Sequence, residues 1–128
     1  EDRLKAAHKV KQAGYPLGFL IAPIFIYDNW KQEYEDLIKN IKKILGDSGN
    51  NLSFELITHR YTERAKKIIN QAYPDHELPM DNQERRFKYG QFGYGKYMYP
   101  KDTMNEIENF METTINQYLP EAKIKYFV

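Results

Sequence analysis

Two apolar runs constrain the fold of this chain more than any other feature. YPLGFLIAPIFIY (15–27) and LSFELITHR (52–60) are each followed closely by a stretch with helical spacing. The first run is apolar without alternation and rich in Ile and Phe, which predicts a strand buried on both faces, as in a parallel sheet. Pro23 has no N–H to give a ladder and belongs at a strand end or bulge. In DNWKQEYEDLIKNIKKIL, Asp28 or Asn29 is a natural N-cap, and Trp30, Tyr34, Leu37, Ile38, Ile41 and Leu45 fall on one stripe. GDSGNN (46–51) reads as a loop. After the second strand, Thr62 caps ERAKKIINQAY, with Ala65, Ile68, Ile69 and Ala72 expected inward. Strand, helix and strand recur at the spacing of a right-handed βαβ unit.

The flanks fit the same plan. Leu4, Ala7 and Val10 share a face of an opening helix that Gly14 stops. PDHELPMDNQE (74–84) is a polar connector. Thr103 and Glu106 read as a capping box for a helix that buries Ile107, Phe110, Met111, Ile115 and Tyr118, and AKIKYFV closes the chain as a short strand. At 128 residues this is one α/β domain, 1–128, with a hairpin inserted before its last helix. The opening EDRLKAAHKVKQAG has no starting Met and is already in helical pattern, which reads as a piece of a longer protein. No signal-peptide pattern and no membrane-spanning apolar run is present, so no membrane partner is expected.

Composition removes several chemistries. There is no cysteine, hence no disulfide, thiolate metal site, iron–sulfur ligation or cysteine nucleophile within this chain. The three histidines are far apart and lack metal-ligand spacing, and no phosphate loop or GxSxG elbow occurs. His8 and His76 read as solvated surface. In a parallel α/β sheet or barrel, function gathers at the C-terminal ends of strands. Those ends here are APIFIYDN and THRYT. His59 and Arg60 form a polar pair able to bind an anion or a base edge; alternatively His59 caps the next helix and Arg60 pairs with a carboxylate. Glu55 interrupts an apolar strand and needs a partner, with Arg60 or a nearby Lys the expected one and a catalytic role the alternative. Ala22 leaves room for a ligand at the strand end, or is simply a small core position.

The segment RRFKYGQFGYGKYMYPK (85–101) stands apart. From Arg85 to Tyr99 it holds six aromatics, four cations, three glycines and no acid, in a chain of net charge +1. Its glycines permit tight turns and its flanks have the aromatic content of strands, so a β-hairpin with its tip near Gly90 to Gly93 is expected. A hairpin built only for the core has little use for Arg85, Arg86, Lys88 and Lys96 together. Cations contact phosphates and rings stack on bases, so nucleic acid is the partner this mixture suits. A structural hairpin stays open as the alternative.

Four blocks carry a family resemblance: AGYPLGFLIAPIFIYDNWKQEY, FELITHRYTERAKKII, ERRFKYGQFGYGKYMYPKD and AKIKYF. Together they closely resemble the C-terminal part of the spore photoproduct lyases, over essentially the whole chain. That resemblance implies a radical S-adenosylmethionine DNA repair enzyme that reverses the UV lesion 5-thyminyl-5,6-dihydrothymine, in the cytoplasm of the spore core. It implies a partial (β/α)6 TIM-like barrel of which this chain is the C-terminal half. It also implies a [4Fe–4S] cluster on a CxxxCxxC motif that generates an adenosyl radical, and a hydrogen-donor cysteine. Both belong to the N-terminal half, so the cysteine-free chain alone is expected to be inactive and carries no catalytic residue or metal ligand. Its partners are then UV-damaged DNA and that missing half. By the same resemblance Ala22 lies on the cofactor side, and His59 and Arg60 face the lesion pocket. Arg85, Arg86, Lys88, Tyr89, Gln91, Phe92, Tyr94, Lys96 and Tyr97, within hairpin 85–99, contact DNA. Between its glycines the family carries Arg-Tyr where this chain has Gln91-Phe92, which loses a charge and a hydroxyl but keeps a ring able to wedge between bases. A stand-alone, non-catalytic DNA-binding module is the competing reading, and a CxxxCxxC upstream of Glu1 would separate the two.

Overall fold

The structure, a computed structural model, describes residues 1–46 and 51–128. Helix α1 (Asp2–Gln12) leads into strand β1 (Leu17–Ile24), helix α2 (Trp30–Leu45) and strand β2 (Leu52–Thr58). Helix α3 (Glu63–Ala72), strands β3 (Arg86–Tyr89) and β4 (Gly95–Met98), helix α4 (Lys101–Tyr118) and strand β5 (Lys123–Phe127) complete the chain. The loop read over 46–51 lies mostly outside the described residues. At its edges Gly46 (φ +62°) closes α2 and Asn51 (φ +71°) precedes β2, both left-handed.

β1, β2 and β5 form one parallel sheet in the order β1-β2-β5. Register runs from Leu17 opposite Leu52 to Ile24 opposite Thr58, and slips between Ile21 and Ile24. Pro23 sits in that slip, after a cis Ala22–Pro23 peptide, which is where a residue without an N–H is tolerated. β3 and β4 pair with each other as an antiparallel hairpin, separate from the parallel sheet.

One face of the sheet is covered by α2 and α4, with α1 leaning on α2. Phe54, Leu52, Leu56 and Ile24 from the strands meet Ile38 and Ile41 of α2 and Ile107, Met111 and Ile115 of α4, all fully buried. Each such side chain contributes roughly 1.5–3 kcal/mol by leaving water. Trp30 packs edge-on against Phe110 (5.1 Å between centroids), Tyr118 donates to Glu35 Oε1 (2.6 Å), and Lys31 pairs with Glu106 (2.7 Å), so the first turns of α2 are tied to α4.

The other face is open. Gly18, Leu20 and Ala22 of β1 are exposed, Leu20 at 61%, while Phe19, Ile21 and Ile24 face the helices. The strand expected to be buried on both faces is thus covered on one only, because the described elements supply no second layer. A second correction concerns α3. Thr62 does cap it, accepting from Ala65 N (3.1 Å), but the helix buries no residue and Ile68 is 53% exposed. The return from β2 to β5 is covered by α4, so α3 stands off the sheet and its apolar stripe is left without the packing its spacing predicts. A third concerns the capping box. α4 begins at Lys101 behind Pro100, whose carbonyl accepts from Met104 N (2.9 Å), so Thr103 lies inside the first turn. Asn29 occupies the N-cap position of α2 with φ +65°, but its side chain makes no capping bond.

Candidate functional site

β1 and β2 end side by side, and the polar residues gather there. His59 N donates to Ile24 O (2.9 Å), which holds the two strand ends together past the ladder. Just beyond β1, Phe25 N donates to Tyr34 Oη and Ile26 N to Tyr99 Oη, each at 3.0 Å. Two backbone donors that the sheet no longer serves are thereby satisfied by phenols from α2 and from the segment entering α4.

His59 is buried, its ring stacked on Phe25 with centroids 4.3 Å apart. Arg85 Nη2 lies 3.1 Å from its Nδ1, and a guanidinium can only donate, so Nδ1 accepts and the ring proton resides on Nε2. Burial first, then the Arg85 charge, pushes the His59 pKa down to about 4, leaving a neutral imidazole at ordinary pH. The reading of His59 as the cap of α3 fails, since Thr62 does that work.

Arg85 is the centre of this knot. Its Nη1 donates to His59 O and its Nη2 to Pro79 O, each at 2.8 Å, and its guanidinium lies 3.7 Å from the Tyr99 ring centroid. It thus joins the end of β2, the connector and the exit of the hairpin. Arg60 turns elsewhere: its Nε and Nη2 reach Thr58 O and Oγ1 at 3.5 Å, both long, and no carboxylate pairs with it among the described residues. Glu55 also departs from expectation. Its partner is neither Arg60 nor a lysine but the Tyr126 hydroxyl, which donates to Oε2 at 3.1 Å from the neighbouring strand. His76, expected to be solvated, organises its loop: Nε2 lies 2.6 Å from Asn70 Oδ1, and Nδ1 accepts from Leu78 N (3.0 Å).

The hairpin projects from this end. A single antiparallel bridge docks it, Tyr97 N to Tyr61 O (2.7 Å) and Tyr61 N to Tyr97 O (3.2 Å), with the two rings stacked at 5.4 Å. Tyr61 in turn donates to Asn82 Oδ1 (2.9 Å), which also accepts from Lys66 Nζ (3.1 Å), while Asn82 Nδ2 donates to Glu63 Oε2 (3.0 Å). The loop closes through Gly90 N to Tyr94 O (2.9 Å), and Gly93 takes φ +77°, open to glycine at little cost. Phe92 at the tip is 80% exposed, and every residue of β3 is exposed, so this is not a core hairpin.

Alternation along paired strands sorts the hairpin side chains into two faces. Arg86 and Lys88 on β3 oppose Met98 and Lys96 on β4, which makes one face cationic. Phe87 and Tyr89 oppose Tyr97 and Gly95, which makes the other aromatic. Phe87 packs edge-on to Tyr89 (5.0 Å) and at 62° to Tyr97 (5.2 Å), and its ring lies over Gly95, where an added Cβ would collide with the ring carbons. Gln91, Phe92 and Tyr94 occupy the tip, all exposed. Ala22 lies at the end of β1 on the open face. Tyr61, Asn82 and Tyr99, which fix the hairpin and the strand ends, escaped the sequence reading. For the two tyrosines the one available signal was the abundance of Tyr, whose buried hydroxyls require partners; Asn82 had none.

Among the described residues no group of His, Asp or Glu could hold a metal ion, and no helix is long and apolar enough to cross a membrane. With no cysteine in its sequence, this chain offers no thiolate to an iron–sulfur cluster.

Comparison with known proteins points one way. The family model described as spore photoproduct lyase matches residues 1–128. The spore photoproduct lyase of Clostridium acetobutylicum is 48% identical over 128 residues, covering 100% of this chain and 38% of that protein. That of Bacillus subtilis is 42% identical, covering 99% and 37%. Among solved structures, a spore photoproduct lyase double mutant with bound AdoMet and dinucleoside spore photoproduct superposes with a TM-score of 0.93 at 41% identity, over 98% of this chain and 37% of that one. Spore photoproduct lyase complexed with dinucleoside spore photoproduct gives the same TM-score, 0.93, at 41% identity. The chain thus spans little more than a third of the length of these relatives, and its mixed α/β architecture with a parallel sheet is theirs. On the family match and these identities, the chain belongs to the spore photoproduct lyase family.

Proposed function

We propose that this chain is the C-terminal, DNA-gripping portion of a spore photoproduct lyase, an enzyme that repairs the spore photoproduct lesion in DNA with AdoMet and an iron–sulfur cluster. The observation that carries the reading is the exposed hairpin, with cations on one face, rings on the other and Phe92 at its tip. Its sheet is the C-terminal half of a partial (β/α)6 barrel. Helices on a single face, exposed Leu20 and Ala22 on the other, and an edge of β1 unpaired among the described residues support this, since each calls for further strands.

A lesion inside a duplex must leave the stack before chemistry can reach it, at a cost of a few kcal/mol. Phe92 fills the space left behind, Tyr89 and Tyr94 offer further stacking surface, and Arg86, Lys88 and Lys96 hold phosphates. Tyr97, stacked on Tyr61, anchors the ring face at its root, and Gln91 adds hydrogen bonds at the tip. Arg85, with its donors committed to His59 O and Pro79 O, fixes the root of the hairpin. Neutral His59 presents Nε2–H and Arg60 a positive charge at the mouth where the extruded lesion arrives. Ala22 leaves room on the cofactor side. AdoMet, when bound, supplies the radical chemistry; the cluster ligands and the hydrogen donor belong to the rest of the protein.

The test is DNA affinity of the intact protein by fluorescence anisotropy, with Arg86, Lys88 and Lys96 replaced by Ala together. Loss of most of the salt-dependent affinity is expected. Binding that survives the triple change unaltered refutes the hairpin as the DNA grip.

A further inference from the structure

A cleft of about 180 Å³ lies between the cationic face of the hairpin and the end of β2, lined by Arg60, Lys88, Tyr89, Gly90, Lys96 and Met98. Three of its six lining residues are cations and none is an acid. Lys88 and Lys96 are direct partners across the hairpin. Like charges placed directly opposite destabilise a strand pair, so nothing in the folding of the hairpin calls for this arrangement. Arg60 forms the third wall, half-buried, with two long hydrogen bonds to Thr58 and donors to spare. None of the ion pairs found among the described residues involves any of the three.

We propose that this cleft is a seat for one DNA backbone phosphodiester, with Lys88 and Lys96 closing on its non-bridging oxygens and Arg60 donating from below. The ligand matches the chemistry: a monoanion with several acceptor oxygens neutralises an otherwise repulsive lysine pair, and guanidinium N–H groups suit phosphate geometry. The proposal rests on the reading that the hairpin grips DNA and adds a direction to it. One strand lies with its phosphate in the cleft, on the cationic side, while Phe87 on the opposite face meets bases. The hairpin then works as a partition between a backbone and a set of bases rather than as a diffuse basic patch.

The experiment is a neutral-phosphate walk on the intact protein. Duplexes carrying one spore photoproduct receive a single methylphosphonate at successive positions of the lesion strand, and Kd is measured for wild type and for Lys88→Gln/Lys96→Gln. A seated phosphate predicts one position at which neutralisation weakens wild-type binding about tenfold or more. At that position the double variant shows no further loss, because both changes remove one interaction. The variant also flattens the salt slope by about 0.9 for each phosphate it no longer neutralises. Small, uniform losses at every position, with the variant still weakened, overturn the cleft while leaving the DNA-gripping hairpin standing. A wild-type protein that binds none of these duplexes overturns both.

Discussion

Replacing Arg85 by Met keeps most of the side-chain volume and removes every donor and the charge. Two hydrogen bonds of 2.8 Å, to His59 O and Pro79 O, disappear, and both carbonyls are left without a charged partner. Hydrogen bonds from charged groups contribute about 1.5–3 kcal/mol each. The guanidinium stacked 3.7 Å from the Tyr99 centroid goes as well, and such a cation–π pair is worth about 0.5–2 kcal/mol. These interactions share one side chain and are not additive, so a destabilisation of about 3 kcal/mol is expected near pH 7.5. His59 gives the test its second dimension. Its pKa is about 4 in the fold against an ordinary 6.5, so between those values the unfolded chain binds more protons. Stability from this group is complete above about pH 6.5 and is lost as pH falls toward 4. Removing Arg85 removes the lesser of the two causes, so the His59 pKa rises part of the way and the acid loss shrinks. Urea unfolding of the chain at pH 7.5 and pH 5 measures this: the Arg85→Met penalty should be smaller at pH 5. A penalty below about 1 kcal/mol, or one identical at both pH values, would refute the knot as drawn.

Three other outcomes follow from the geometry. Gly95→Ala drives a Cβ into the Phe87 ring, which swings off Tyr89 and Tyr97; the cost is about 1 kcal/mol, with faster amide exchange confined to the hairpin. Ile107→Ala, at the fully buried junction of α4 with the sheet, costs about 2–5 kcal/mol, whereas Ile68→Ala on exposed α3 stays within about 0.5 kcal/mol in the same urea assay. Thr62→Ala removes the side-chain cap of α3 and costs about 1 kcal/mol, read as reduced helicity and protection of α3.

Much of the fold was legible because local signals agreed with packing. In α2, the Trp30, Ile38, Ile41, Leu45 stripe is the buried one, and in α4 so are Ile107, Met111 and Ile115. Pro23 sits at a register slip and Gly93 at the hairpin tip with φ +77°, as their backbone properties require. What was not legible depended on partners distant in sequence. Nothing local says that α3, with a clear apolar stripe, stands away from the sheet while α4 takes the crossover. Glu55 finds Tyr126 across 71 residues. Arg85 finds a backbone carbonyl across 26, and a carbonyl has no sequence signature at all. The cationic and aromatic faces were hidden for a subtler reason: composition shows rings and charges mixed, and only the Lys88–Lys96 register separates them.

The most direct test of the central claim is the affinity of the intact protein for a short duplex with and without one spore photoproduct, across a salt series. Tighter binding to the lesion duplex is expected, with log K falling linearly in log salt and the lesion preference abolished in Phe92→Ala. Equal affinity for the two duplexes, or a preference untouched by Phe92→Ala, would contradict the hairpin as the element that holds the damaged site open.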